Sequence, residues 1–131
     1  MTYRGTAYVS GYGNTRVCLQ AGVGKSTVDD TVWFFGKTFA FDSSGAYCDG
    51  PRTLPAGWLG ITVDAYKNGA FCGTSYYRYS SSAASTVGYY FYGLCSNPAG
   101  TQEFYSVAWG KIYTGDHYYQ PNGIVSPSQN Y

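Results

Sequence analysis

Apolar and polar residues alternate along most of the chain, and the pattern reads as strands and turns throughout. "TYRGTAYV" (2–9) alternates loosely and stops at the turn-like "SGYGN", and "TRVCLQ" (15–20) predicts a short second strand. "VWFFGKTFAF" (32–41) is apolar at both parities, the pattern of a strand covered on each side. The Gly-, Pro-, Ser- and Asp-rich "DSSGAYCDGPRTLPAG" then predicts a long loop.

The clearest local signal lies in "WLGITVDAYKNGAFCGTSYYRY". Asn68-Gly69 is the pair preferred in a two-residue type I′ hairpin turn. With those residues as the loop, Lys67 falls opposite Ala70, Ala65 opposite Cys72, and Val63 opposite Thr74. Leu59, Ile61, Val63, Ala65 and Cys72 then share a core face, and Asp64, Tyr66, Phe71, Tyr77 and Tyr79 share the other. A one-residue slip would bury Asp64 and expose the aliphatic row, so the register is well specified.

"TVGYYFYGLC" (86–95) predicts a sixth strand with Tyr89, Phe91 and Cys95 inward and Tyr90 and Tyr92 outward. "FYSVAWGKIY" (104–113) predicts a seventh, with Tyr105, Trp109, Lys111 and Tyr113 on the wet face. About seven short antiparallel strands with regular turns predict an all-β two-sheet sandwich or a small barrel. Residues 1–119 form the expected single domain. The tail 120–131, "QPNGIVSPSQNY", has two prolines and no periodicity, and predicts an extended arm.

Composition agrees with the pattern. Aromatics make up 20% of the chain, and Tyr, Phe and Trp favour pleated strands. Only 11% of residues are charged, the formal net charge is +1, and no charge run occurs. There is accordingly no basic stripe for nucleic acid and no polybasic cluster for an anionic membrane. No stretch approaches the roughly 20 apolar residues of a membrane span. Nothing at the N-terminus reads as a signal peptide, so an exported protein would be seen here in its mature form, with Met1 added.

Cys18, Cys48, Cys72 and Cys95 are widely spaced and form no C-x-x-C pair. An even count at such spacing predicts two disulfides and an oxidising, extracellular compartment. Of three possible pairings, Cys18–Cys48 and Cys72–Cys95 are favoured, because each closes a loop holding two or three strands. Each bridge would contribute roughly 3–4 kcal/mol through the entropy of the unfolded chain.

Candidate chemistry is sparse. "AGVGKST" (21–27) imitates a phosphate-binding loop, but Leu19 stands where the leading Gly must be and no helical period follows. Gly22 and Gly24 are instead expected at positive φ in a turn, with Lys25 solvated. The chain has one His and seven carboxylates. His117 follows Asp116 directly, yet neighbours on a strand point to opposite faces. Asp29-Asp30 reads as a solvated turn, and "DSSGAYCD" (42–49) lacks the alternating carboxylates and closing Glu of a calcium loop. The expectation is no enzyme, no cofactor, no metal and no nucleotide.

The central stretch "LPAGWLGITVDAYKNGAFCGTSYYRYSSS" is similar to a pattern in small secreted actinobacterial proteins. In these a Pro-Ala-Gly-aromatic lead enters a strand, a hairpin and then a cysteine. The resemblance implies export, disulfides and a β-sandwich. Some such proteins belong to multi-subunit toxin particles.

Tyr, Ser and Gly together suit recognition surfaces, since Tyr offers contact area at low entropic cost and keeps a polar tip. The expected binding residues are Tyr77, Tyr79, Tyr90, Tyr92, Tyr105, Trp109 and Tyr113, with Asp116, His117, Tyr118 and Tyr119 from the loop "TGDHYYQPNG". The leading expectation is a secreted, non-catalytic protein-interaction subunit, with the chain ends 1–9 and 120–131 as candidate donors for strand addition. A second is a carbohydrate-binding module using Trp109, Trp58 or Tyr118 on a cell-surface glycan. A third is an inhibitor of a secreted hydrolase, with Arg52 at the tip of "DGPRTLPAG" (49–57). The redox expectation is checked by intact mass: two bridges lower it by about 4 Da against the fully reduced chain, whereas four alkylatable thiols would contradict it.

Overall fold

The alternating segments fold as strands, and no helix forms among the residues described by the computed structural model: 3–9, 15–26, 31–42, 51–92, 95, 101–113, 115, 117–120 and 123–131. Seven strands are the expected ones: β1 (Tyr3–Val9), β2 (Thr15–Lys25), β3 (Val32–Asp42), β4 (Leu59–Lys67), β5 (Ala70–Thr74), β7 (Thr86–Tyr92) and β8 (Glu103–Tyr113). Four two-residue strands add to them: β6 (Arg78–Tyr79), β9 (Tyr118–Tyr119), β10 (Ile124–Val125) and β11 (Gln129–Asn130). They form a four-stranded sheet in the order β1-β2-β3-β7, packed on a seven-stranded sheet centred on β4 and β8. Every pairing is antiparallel. The sheets face each other without closing, which decides for a sandwich over a barrel.

Strict alternation sets the core. On β3, Val32, Phe34, Gly36, Thr38 and Ala40 are buried between the sheets, and Phe104, Ser106, Ala108, Gly110 and Ile112 answer from β8. One cluster gathers Val23, Phe34, Ile61, Val63 and Phe104, and a second gathers Val17, Leu19, Leu54, Leu59 and Ile112.

Two hydroxyls cross the interior. Thr38 Oγ1 on β3 donates to Gly60 O on β4 at 2.9 Å, and Ser106 Oγ on β8 donates to Gly22 O on β2 at 2.8 Å. Such short side chains span the layers only where the backbones come close. A Cβ on Gly110 would strike Leu19 and lie 2.7 Å from Thr38 Oγ1. Gly36 faces Val63 under the same constraint.

Each edge of the seven-stranded sheet is lined by short strands in succession, with the register shifting from one to the next. Along β4, the summed residue numbers of opposed pairs step from Lys67↔Ala70 to Ala65↔Gly73 to Gly60↔Tyr79, one residue at each step. Along β8 the tail slips in the same way, from Tyr113↔Tyr118 to Ala108↔Ile124 to Phe104↔Gln129. A buried serine mends the ladder on each side. Val63 N–H donates to Ser75 Oγ at 2.8 Å, and Ser106 N–H donates to Ser126 Oγ at 2.9 Å. Pro127, which has no N–H to offer, falls in the second slip of the tail.

Several expectations need correction. The hairpin turn forms as read, with Asn68 at φ 52° and Gly69 at φ 79°. Beyond Phe71, however, the bulge at Cys72 sets Ala65 against Gly73 and Asp64 against Thr74, one residue off the expected pairing. Residues 21–25 do not turn; they extend β2 to Lys25. Gly22 and Gly24 lie in the extended backbone of β2 without positive φ, and the Trp33 ring occupies the space where a Gly24 side chain would be. Lys25 is half-buried, its ammonium 5.6 Å from the Tyr131 ring centroid. β3 is buried along its inner face, while on the other Trp33, Phe35, Lys37 and Phe39 are half-exposed and Phe41, bridged to Pro51, is buried. β7 is described over Thr86–Tyr92, and residues 93 and 94 of the expected strand lie outside the described residues. Among the described residues the tail lies along β8 at one edge of the seven-stranded sheet, and β1 pairs with β2 as the outer strand of the four-stranded sheet, so both candidate donor ends sit at sheet edges.

Cys72 and Cys95 are bridged, with Cα atoms 5.5 Å apart. Cys18 is also disulfide-bonded, and its expected partner Cys48 lies outside the described residues. The glycine constraint is testable by urea denaturation. Gly110→Ala is expected to cost about 2 kcal/mol or more through overpacking against Leu19 and Thr38. Gly69→Ala, strained only at the open turn, is expected to cost about 1 kcal/mol.

Candidate functional site

Pleating sends the residues between the core positions to the outside of the seven-stranded sheet, where β4, β6, β8 and β9 bring their rings together. Trp58 meets Tyr113 edge-on at 5.2 Å, and Tyr113 meets Tyr118 at 5.0 Å. Tyr118 reaches Tyr79 at 5.9 Å, and Tyr79 reaches Tyr77 at 6.0 Å. The result is one run of five rings drawn from the Leu59 lead-in, β8, β9 and the segment around β6. Tyr118 OH anchors it by donating to Gly57 O at 3.0 Å.

Polar groups form the floor beside this run. Lys111 Nζ sits 3.9 Å from the Tyr77 ring centroid and 5.6 Å from that of Tyr118, an attraction between the ammonium and the ring quadrupoles. Gln120 Nε2 donates to Tyr77 OH at 2.7 Å. Thr62 is buried, and its Oγ1 makes no hydrogen bond of regular geometry. Next along the face, Trp109 Nε1 donates to Asp64 Oδ2 at 3.0 Å. The Trp109 ring lies over the backbone of Gly123, where a Cβ would come within 2.7 Å of it. Beyond it Tyr66 and Tyr105 stack in parallel at 4.9 Å, and Phe71 closes the row at 5.8 Å from Tyr66.

Of the expected binding residues, Tyr77, Tyr79, Tyr105, Trp109, Tyr113 and Tyr118 therefore share one face. Tyr90 and Tyr92 do not join them. Their strand β7 pairs with β3, so they lie on the outside of the other sheet, around a shallow hollow of about 340 Å3 with Trp33 and Phe35. Tyr119 turns inward and packs against the second core cluster. His117 is exposed, and Asp116 lies outside the described residues. Lys111, Gln120 and Thr62 were missed as parts of the site. The strand parity already placed Lys111 beside Trp109, but the tail's return along β8, which brings up Gln120, has no periodic signal.

Of the expected loop 49–57, residues 51–57 are described, and backbone hydrogen bonds tie them to the rest of the molecule. Arg52 N–H donates to Ala40 O, Leu54 and Ala84 exchange both backbone hydrogen bonds, and Arg52 is half-buried. Among the described residues no group of three or more His, Cys, Asp or Glu side chains could hold a metal ion, and no helix is long and apolar enough to cross a membrane.

Comparison with protein-family models, curated proteins and solved structures finds nothing that matches this chain, so geometry carries the functional reading.

The face also sets an alkaline limit on stability. Burial raises the Tyr77 pKa above its ordinary 10.0; the neighbouring Tyr79 and Asp64 add to the rise and the Thr62 hydroxyl opposes it. Burial likewise raises Tyr131. A phenol with a raised folded-state pKa contributes stability that is whole below its unfolded value and is lost as pH rises through the folded one. Stability should therefore fall as pH climbs above 10.0. The urea midpoint of Tyr77→Phe should decline less steeply over that range than the wild type's, and equal slopes would refute the assignment.

Proposed function

We propose that the chain is a secreted, non-catalytic protein-binding module, a subunit or adaptor of an extracellular assembly, that works through the outer face of its seven-stranded sheet. The observation that carries this reading is the state of the rings. Along the run from Trp58 to Tyr77, and again at Tyr66 and Tyr105, each ring is packed against its neighbour. Their faces are largely spent on one another, leaving ring edges and phenol tips for a partner. A surface of pre-packed tyrosines loses little side-chain freedom on binding, which is how such residues come to dominate recognition surfaces. Lys111 and Gln120, held beside the Tyr77 and Tyr118 rings, add polar groups at its centre.

A second reading, a carbohydrate-binding module, is favoured by one residue. Trp109 rests one face on Gly123, is 36% exposed, and carries Asp64 on its indole N–H. A flat indole beside a carboxylate suits the apolar face and adjoining hydroxyls of a sugar ring.

The two readings part experimentally. For the assembly, size exclusion of the native secreted fraction should place the chain far above 14.3 kDa with companion chains. Tyr79→Ser with Tyr118→Ser should weaken reconstitution with those companions by roughly tenfold or more, the scale of an interface hot spot. A free monomer retained on insoluble polysaccharide, and released by Trp109→Ala, would support the glycan reading and defeat the first.

A further inference from the structure

We propose that the outer edge of β7 is a docking edge, and that its occupant is β7 of a second copy of this chain. β7 is the last strand of the four-stranded sheet. Ser85 O accepts from Ala40 N–H, and the register against β3 holds without a shift from Phe39↔Thr86 to Trp33↔Tyr92. In an antiparallel ladder alternate residues turn both backbone groups to the same side. Ser85, Val87, Tyr89 and Phe91 thus face β3, while Thr86, Gly88, Tyr90 and Tyr92 direct theirs outward. Among the described residues these outward groups have no backbone partner. A hollow of about 390 Å3, lined by Thr86–Tyr89 on one side and Arg78–Ser82 on the other, lies against the first half of the strand.

Exposed edges are ordinarily blunted by bulges, proline or charge. The edges of the seven-stranded sheet carry two slips each, and one carries Pro127. β7, "TVGYYFY", has no charge, no proline and no bulge.

Its sequence fits itself. A two-fold axis normal to the sheet through Tyr89 pairs Gly88 with Tyr90 of the second copy and Thr86 with Tyr92. All four outward residues of each copy are then satisfied, and none of the four is charged. The same axis repeats a device the molecule already uses three times, an aromatic ring laid over a glycine on the neighbouring strand. Trp33 covers Gly24, Tyr79 covers Gly60 and Trp109 covers Gly123, the first two as directly opposed pairs. In the dimer Tyr90 covers Gly88 of the other copy, twice by symmetry. Two four-stranded sheets become one of eight, and both Trp58–Tyr77 faces look the same way. That arrangement would present the proposed partner face bivalently, although the dimer itself does not depend on that reading.

Sedimentation equilibrium of the purified chain, carried up to about 300 μM because bare edge contacts are weak, should reach twice 14.3 kDa. Gly88→Lys and Tyr90→Lys should each weaken the dimer at least tenfold while the monomer stays folded by circular dichroism, although Gly88→Lys, set opposite Lys37, should lower the melting temperature slightly. In the wild type, hydrogen exchange at the amides of Gly88, Tyr90 and Tyr92 should slow as concentration rises, while Val87 and Tyr89, bonded to β3, should not change. A chain that stays monomeric, a dimer that survives both lysines, or exchange at those amides that ignores concentration would overturn the proposal.

Discussion

The separation of the two sheets is fixed by two hydroxyl groups. Thr38 and Ser106 each reach across the interior to a backbone carbonyl, at 2.9 and 2.8 Å. Serine and threonine side chains are short, so these bonds exist only because glycines let the backbones approach. A larger residue at position 110 would push the layers apart and leave a buried hydroxyl and a buried carbonyl without partners, each costing about 1–3 kcal/mol. Thin spacing at the centre in turn confines the large side chains. Phe34 and Phe104 fill one end of the interior, and Leu19, Leu59 and Ile112 fill the other. Most of the tyrosines have no room inside, and pleating delivers them to the outer faces.

Those outer faces are stabilised by the same substitution of ring for side chain. At Gly24, Gly60 and Gly123 an aromatic residue from the adjacent strand lies over the glycine, restoring the apolar cover that glycine cannot supply. The rings then pack edge to face with one another, a geometry preferred by their quadrupoles. The tyrosine face is thus part of the fold as well as a surface for recognition. Its partners in polar contact, Asp64 with Trp109 and Gln120 with Tyr77, hold individual rings in place.

The long strands were legible because alternation is a direct imprint of one buried and one exposed side. The inward set of β8 and the outward Tyr90 and Tyr92 followed from that rule, and the Asn68-Gly69 turn from the positive-φ preference of its two residues. What escaped was set by contacts far away in sequence. Nothing near Gly22 and Gly24 shows that Trp33 will lie on the second of them, so two glycines and a lysine read as a turn. The bulge at Cys72 and the slips in the tail interrupt the period of two, and a parity argument fails across an unpaired residue. The tail's role was hidden for a further reason: Ser126 and Tyr131 engage Ser106 and Gln102 through hydroxyl and main-chain atoms, which leave no hydrophobic signature. Of the site, the rings could be named from parity, but their division between two sheets depended on β7 pairing with β3, which strand patterns alone do not determine.

The ring run ending at Trp58 has an optical consequence. Tyrosine emission overlaps indole absorption, and rings 5 to 6 Å apart pass excitation efficiently. Light absorbed by Tyr77, Tyr79, Tyr118 and Tyr113 is therefore funnelled step by step to Trp58, whose fluorescence reports on the whole row. Anything that seats on those phenols alters the colour or brightness of a single indole, giving the molecule a built-in gauge of its own occupancy.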